Sequence, residues 1–265
     1  MRKMLIIGNW KMHFTVHEAS LHLHRLSERI KEHRDLEVVL APSLLTLQPL
    51  SLELDRHKFR LAAQNGFYKD EGAYTGEVSF TMLRDMVHYA LIGHSERRIY
   101  FHESLDIVRD KVSAAVRNKI TPVLFIGETY EEHKDGETKQ VLHDQLTTAL
   151  SDLTAGDVED MVIVYEPVWA ISTFGGILAK PDEVESAMKR IRAEVSELYG
   201  ERAAQSVRIL YGGSVDEQIV RGYIELPDCD GAVPGAASLN YHKFAAIIEA
   251  ASRVVQERRK ADADA

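Results

Sequence analysis

A carboxylate stands where a short apolar run ends. Glu166 follows Met161–Tyr165, a run rich in β-branched residues and too short for a helix, which predicts a buried strand. Pro167 prevents further pairing in a sheet, and the loop that follows carries Gly175 and Gly176 near its tip. An acid at the end of a strand, beside a glycine-bearing loop, is typical of a general base under a movable lid. On local grounds alone, a surface glutamate that caps the next helix is the alternative.

Other residues suited to chemistry also follow short apolar runs. Asn9 and Lys11 end the first run, two residues apart and therefore on one side of an extended chain. His94 and Glu96 follow the fourth run. Polar or glycine-rich ends of the remaining runs are Gln64–Asn65, Gly127–Glu128, Gly212–Ser214 and Gly235–Ser238. If the fold brings the strand ends together, these residues would form an active site, because they supply a lysine, an imidazole, carboxylates and glycine-rich turns.

Eight strand–helix units are predicted to position these residues. The strands are Met4–Ile7, Val38–Leu40, Arg60–Ala63, Tyr89–Ile92, Pro122–Ile126, Met161–Tyr165, Val207–Tyr211 and, weakly, Gly231–Val233. Helical patterns lie at about 17–32, 44–54, 79–87, 105–118, 138–150, 182–199, 216–223 and 241–258.

This alternation predicts the α/β class, a single-domain (β/α)8 barrel over residues 1–256, with a disordered tail at 257–265. A barrel gathers the strand ends at its C-terminal mouth, where barrel enzymes keep their chemistry. An open doubly wound sheet is the alternative, but it would need a dinucleotide-binding motif after the first strand, where Asn9–Met12 stands instead.

Composition narrows the possible partners and location. The net charge of −9, from 32 basic and 41 acidic residues, argues against non-specific binding of nucleic acid, so an anionic ligand needs a local site. Cys229 is the single cysteine, which excludes an internal disulfide and is typical of a reducing compartment, so we expect the cytoplasm. The apolar run at the N-terminus is far too short for a signal peptide, and no run approaches the length of a membrane span. We therefore expect no membrane partner.

Two pairs of histidines suggest a metal site. His13 and His17 straddle a predicted helix start, and His22 and His24 lie on different faces of that helix. This spacing does not direct either pair at one ion, so we expect solvated side chains and no bound metal.

Five motifs together resemble the triosephosphate isomerase family, in the family's order. They are Asn9–Met12, Ala63–Asn65, Ile92–Arg98, Tyr165–Ile171 and Tyr211–Val215, and the resemblance runs from Asn9 to Leu239. It implies a TIM barrel and an aldose–ketose isomerase of glycolysis and gluconeogenesis. Such an enzyme interconverts dihydroxyacetone phosphate and D-glyceraldehyde 3-phosphate through an enediolate, without a cofactor or a metal.

The resemblance also implies roles for five residues. Glu166 would be the base and His94 the neutral electrophile, as the family's known mechanism has them. Lys11, helped by Asn9, would supply positive charge to the enediolate and the phosphate, and Glu96 would support the lysine and the histidine. From the residues alone, Lys11 could also be a solvated surface residue or a Schiff-base lysine.

Backbone amides and a loop between subunits complete the implied site. The resemblance places the phosphate on amides at Ser172, Ser214, Gly235 and Ala236. The segment Gly72–Glu77 is similar to the family's dimer loop, whose threonine, here Thr75, enters the neighbouring active site. The resemblance therefore implies a homodimer, whereas a glycine-rich surface turn is the alternative.

Three departures from the family pattern leave alternatives open. The lid, Ala170–Ile177, lacks the usual lysine at its tip and is about two residues longer than usual. Pro234 and Ala236 replace residues of a Val-Gly-Gly motif, and Phe125 stands where a cysteine is usual. One alternative is an isomerase of a four-carbon ketose phosphate, and the other is a binding protein that has lost catalysis.

Overall fold

Eight parallel strands close into a barrel in the computed structural model, which describes residues 2–264. They follow chain order, each paired with the next, and β8 pairs back with β1 through Leu5 opposite Gly231 and Ile6 opposite Ala232. The strands are β1 (Met4–Asn9), β2 (Leu36–Ala41), β3 (Arg60–Ala63), β4 (Tyr89–Ile92), β5 (Thr121–Ile126), β6 (Val162–Tyr165), β7 (Arg208–Tyr211) and β8 (Gly231–Ala232). The predicted α/β barrel is thus confirmed, and its weakest predicted strand, β8, is the shortest.

Helices surround the barrel. They are α1 (Val16–Arg29), α2 (Leu44–Glu53), α3 (Phe80–Leu83), α4 (Ser95–Tyr100), α5 (Leu105–Arg117), α6 (Tyr130–Lys134), α7 (Thr138–Leu150), α8 (Ala155–Glu159), α9 (Pro181–Tyr199), α10 (Glu201–Ser206), α11 (Val220–Ile224) and α12 (Tyr241–Asp264). Short 3₁₀ turns occupy Val168–Ala170 and Ala236–Leu239. Among the described residues, no helix combines the length and the apolar character that crossing a bilayer requires.

Two apolar layers hold the strands in place. Leu5 and Ile7 of β1 point into the barrel, together with Val39, Leu91 and other alternate residues of the later strands. Ile6 and its counterparts on the other strands pack outward against the helices. Because strand side chains alternate between faces, nearly every strand residue is buried on one side or the other. The rigid wall that results fixes the position of each strand end.

The C-terminal segment differs from the prediction. The prediction of a disordered tail at 257–265 is wrong for the residues up to Asp264, because α12 continues to that residue. Arg258 explains the extension: its Nη2 donates hydrogen bonds to the carbonyl oxygens of Ile224 at 2.7 Å and Leu226 at 3.0 Å. These hydrogen bonds hold the helix against the barrel. The last residue of the predicted tail, Ala265, lies outside the described residues.

His22 also departs from the expectation of a solvated side chain. It lies buried on α1, with its ring against those of Trp10 and Phe14 at centroid distances of 5.1 and 5.0 Å. Burial lowers the pKa of His22 to about 4, so the ring is neutral at physiological pH. The histidines at 13, 17 and 24 are exposed as expected.

Candidate active site

The C-terminal mouth of the barrel brings the predicted residues together. One cavity of about 140 Å³ lies between the ends of β1, β4, β6, β7 and β8. The predicted residues that line it are Asn9, Lys11, His94, Glu166, Ser172, Ser214, Gly235 and Ala236. Glu96 contacts the lysine from beside the cavity, whereas Thr75 lies in an exposed loop outside it. The volume of the cavity suits a small ligand.

Glu166 occupies the floor of the cavity. Its side chain is 1% exposed, because β6 ends inside the wall of the barrel, where its backbone N–H donates to Ile126 O at 2.7 Å. The carboxylate accepts a hydrogen bond from the Ser95 amide at 2.8 Å. Burial raises the pKa of Glu166 to about 7, and the Ser95 amide opposes this rise only in part. A carboxylate with such a pKa can accept and release a proton near neutral pH.

His94 faces this carboxylate as a neutral ring. Its Nδ1 accepts a hydrogen bond from the Glu96 amide at 3.2 Å, so the proton of the neutral ring is assigned to Nε2. The Nε2 atom lies 3.1 Å from Glu166 Oε1. Burial lowers the pKa of His94 to about 4, although the Glu96 carboxylate acts in the opposite direction. The arrangement therefore presents an N–H donor and a base to the same space.

Lys11 is held rigidly at the edge of the cavity. Its φ of 50° lies in the left-handed region, a strained conformation for a residue with a side chain. Its amide donates to Asn9 Oδ1 at 3.0 Å, and its carbonyl accepts from Gln64 Nε2 at 2.8 Å. The ammonium group contacts Glu96 Oε1 at 2.6 Å. Lys11 is therefore a positioned cation and not a solvated surface residue, and Gln64 is a support to which the sequence analysis assigned no role.

Backbone from two loops forms the opposite wall. The loops are Gly212–Ser214 after β7 and the turn at Gly235 and Ala236 after β8. A Cβ atom on Gly213 would lie 2.1 Å from Tyr211 Oη, so this position requires glycine. The Ser214 amide donates to Ala170 O at 3.1 Å in this conformation. The Ser214 amide can therefore bind a phosphate only if its hydrogen bond to Ala170 O breaks first.

The lid begins at an anchor that sequence reasoning did not identify. Glu128 is fully buried, and its Oε1 accepts hydrogen bonds from Trp169 Nε1 at 2.9 Å and from the Tyr165 hydroxyl at 3.0 Å. Ala170 and Ile171 of the lid are buried as well, whereas residues 172–178 are exposed apart from Phe174, which packs its ring against Tyr100 with the centroids 5.6 Å apart. Glu128 comes shortly after β5, just as Glu166 comes after β6. This similar position in the sequence could have indicated that Glu128 also has a role at the mouth of the barrel.

Comparisons with known proteins agree with this geometry. The family model described as triosephosphate isomerase matches residues 4–251. A curated triosephosphate isomerase of Chloroherpeton thalassium is 42% identical over 253 residues, which cover 95% of this chain and 100% of that protein. Those of Citrifermentans bemidjiense and Carboxydothermus hydrogenoformans are 43% and 41% identical, covering 94% of this chain and 98% and 99% of their own lengths. With a match over nearly its whole length, the chain belongs to the triosephosphate isomerase family.

Proposed function

We propose that the chain interconverts dihydroxyacetone phosphate and D-glyceraldehyde 3-phosphate, with Glu166 as the base and His94 as the neutral electrophile. The observation that carries the proposal is the 3.1 Å approach of His94 Nε2 to Glu166 Oε1 within a buried cavity. Family membership and the relatives named triosephosphate isomerase support the same reaction. The step belongs to glycolysis and gluconeogenesis.

The proposed steps need only side chains of the chain. Glu166 removes a proton from C1 of the ketose, and His94 Nε2–H donates to the carbonyl oxygen, so charge develops on an enediolate. The imidazole then relays a proton between the two substrate oxygens, and Glu166 returns its proton to C2. Lys11, fixed by Glu96 and Asn9, stabilises the negative charge that develops in the transition state.

The phosphate would occupy the far wall of the cavity. The amides at Ser172, Ser214, Gly235 and Ala236 are the proposed donors. The bond between Ser214 N and Ala170 O would open when the phosphate binds, which couples the phosphate to the start of the lid. A closed lid would hold the enediolate and its phosphate in the site until Glu166 returns the proton, and so limit the elimination of phosphate that gives methylglyoxal.

One assay separates the proposed reaction from its alternatives. Purified chain should turn over triose phosphates much faster than four-carbon ketose phosphates, because the family model and the named relatives are triosephosphate isomerases. If the chain prefers the four-carbon ketose phosphate, the altered lid and Pro234–Ala236 adapt the site to a different substrate, and the proposed reaction is wrong. Binding without turnover of either sugar would favour a protein that has lost catalysis.

We further propose that the chain forms a homodimer through the loop Gly72–Glu77. A second pocket of about 470 Å³ lies beside Lys11 and could receive a loop from a partner. Its rim includes Met12 and Phe101, which are 94% and 63% exposed. A partner would cover these apolar side chains, and its Thr75 would brace Asn9 and Lys11.

Shortening the loop from Gly72 to Glu77 is expected to give a monomer of poor activity. The two chains would lose the contact that covers Met12, and Lys11 would lose its brace, so its strained backbone could relax. Sizing chromatography and steady-state kinetics on the same preparation measure both effects. Thr75→Ala is the matched control, because it keeps the loop and should remain dimeric with a smaller loss of activity. A fully active monomer would show that the loop is only a surface turn.

The location and the domain limits remain proposals. We propose the cytoplasm, because the single cysteine, Cys229, is a buried free thiol that needs no oxidising compartment. We also propose that residues 1–256 form the catalytic domain, since each strand and each residue of the proposed site lies within them.

A further inference from the structure

Tyr223 makes a buried contact at the C-terminal end of the lid. It lies on α11 with 4% of its surface exposed, and its hydroxyl donates a hydrogen bond to Ala179 O at 2.7 Å. Ala179 is itself buried and immediately precedes Lys180, the N-cap of α9. The hydrogen bond therefore fixes the backbone at the point where the lid joins a long helix.

The same ring also supports the proposed phosphate loop. Tyr223 stacks on Tyr211 with centroids 4.2 Å apart and an interplanar angle of 18°. Tyr211 is the last residue of β7, directly before Gly212–Ser214, and its buried hydroxyl makes no hydrogen bond to another described residue. Gly213 lies so close to this hydroxyl that even a Cβ atom would clash. A shift of Tyr223 would therefore be transmitted to the wall of the active-site cavity.

Two anchors together set the length of the segment that can move. The first is the Trp169–Glu128 hydrogen bond, and the second is the Tyr223–Ala179 hydrogen bond. Between them, residues 172–178 are exposed apart from the half-buried Phe174. If either anchor opens, more residues become free in the open state, and closure then costs more conformational entropy.

We propose that Tyr223 is a positioning residue for lid closure, which fixes the C-terminal hinge at Ala179 and couples it to the phosphate loop through Tyr211. The proposal rests on the proposed function, because closure matters only if the cavity binds a phosphorylated substrate. Loss of the hydroxyl leaves the buried Ala179 carbonyl without its partner and lengthens the mobile segment. The closed lid is then less populated, whereas the groups that react are untouched.

Tyr223→Phe tests the hydrogen bond while it keeps the stacked ring. A lost hydrogen bond shifts an equilibrium by about 3- to 10-fold, so kcat/KM should fall and the Kd for 2-phosphoglycolate should rise by that factor. The fraction of turnovers that leak to methylglyoxal should increase. The matched control is Tyr199→Phe. Tyr199 lies at the other end of α9 from Ala179, and its hydroxyl donates a comparable hydrogen bond to Leu150 O of α7. The control variant should show a similar loss in Tm with kinetics close to wild type.

Amide hydrogen exchange keeps this test separate from the isomerase assay. Exchange at residues 172–180 should be faster in Tyr223→Phe than in wild type and unchanged in Tyr199→Phe, whatever the wild-type turnover. If the wild-type chain fails to isomerise triose phosphates while this exchange difference is seen, the proposed function fails but the hinge role stands. If Tyr223→Phe matches Tyr199→Phe in exchange, inhibitor affinity and methylglyoxal leakage, Tyr223 is only a packing residue and the proposal is overturned.

Discussion

Replacing Glu166 by glutamine is expected to lower kcat by about 10²- to 10⁴-fold or more, with the fold intact. Glutamine fills the same space between Ser95 and His94, but an amide cannot accept the proton from C1. Burial prepares this carboxylate for the proposed role, since it raises the pKa of Glu166 to about 7. Steady-state kinetics in both directions measure the loss.

The same variant should gain stability at alkaline pH. The pKa of Glu166 is about 7 in the folded chain, against an ordinary value of 4.5 for a glutamate, so the folded state binds more protons between those two values. Stability from this group therefore falls as pH rises from about 4.5 to about 7, and the loss amounts to about 3 kcal/mol at higher pH. Glutamine does not titrate, so Glu166→Gln should unfold at a higher temperature than wild type at pH 8.

A matched control removes one carboxylate charge outside the cavity. Glu132→Gln keeps the capping box with Thr129, because glutamine can also fill that role, and it should retain nearly full activity. If Glu166→Gln stays within tenfold of wild type, the assignment of the base is wrong.

Replacing His94 by glutamine is expected to cost about 10²- to 10⁴-fold in kcat. The amide can donate a hydrogen bond, but it cannot relay a proton between the two substrate oxygens. Glu166 would keep its hydrogen bond from the Ser95 amide at 2.8 Å, so the base should still ionise near pH 7. The variant should therefore show the same shape of pH profile at a much lower rate.

The pH dependence distinguishes a neutral histidine from a charged one. Because the unprotonated carboxylate is the active form, kcat/KM of wild type should rise with pH through about 7. The pKa of His94 is about 4, so its ¹⁵N chemical shifts should remain those of a neutral ring with the proton on Nε2 from pH 5 to 8. Titration of His94 between pH 6 and 7 would contradict its role as a neutral electrophile.

The position of the site could be predicted because it follows from topology. Asn9, His94 and Glu166 each lie one or two residues after a predicted strand, and a closed parallel barrel must bring those strand ends to one mouth. The eight strands themselves were predictable, because the apolar runs that form them are short and separated by amphipathic helical patterns. Their exact bounds shifted by up to two residues, since the ends of strands depend on pairing with neighbours.

Features that depend on distant contacts could not be predicted. Burial of His22 requires Trp10 and Phe14 from another segment, and the extension of α12 requires carbonyl groups more than thirty residues before Arg258. The helix that carries Tyr223 overlaps the pattern predicted at 216–223, but the contacts of Tyr223 with Ala179 and Tyr211 join segments that no local pattern connects. The helices α4, α6, α8 and α10 were missed because helices of five or six residues are too short to show a helical period.

Isomerisation in ²H₂O tests the central claim most directly. If Glu166 carries the proton through an enediolate, part of the D-glyceraldehyde 3-phosphate formed from dihydroxyacetone phosphate should carry solvent deuterium at C2, as NMR would show. Glu166→Gln should nearly abolish both the product and the label. Product formed at an undiminished rate by Glu166→Gln, or formed by wild type with no deuterium on carbon, would contradict proton transfer by this carboxylate.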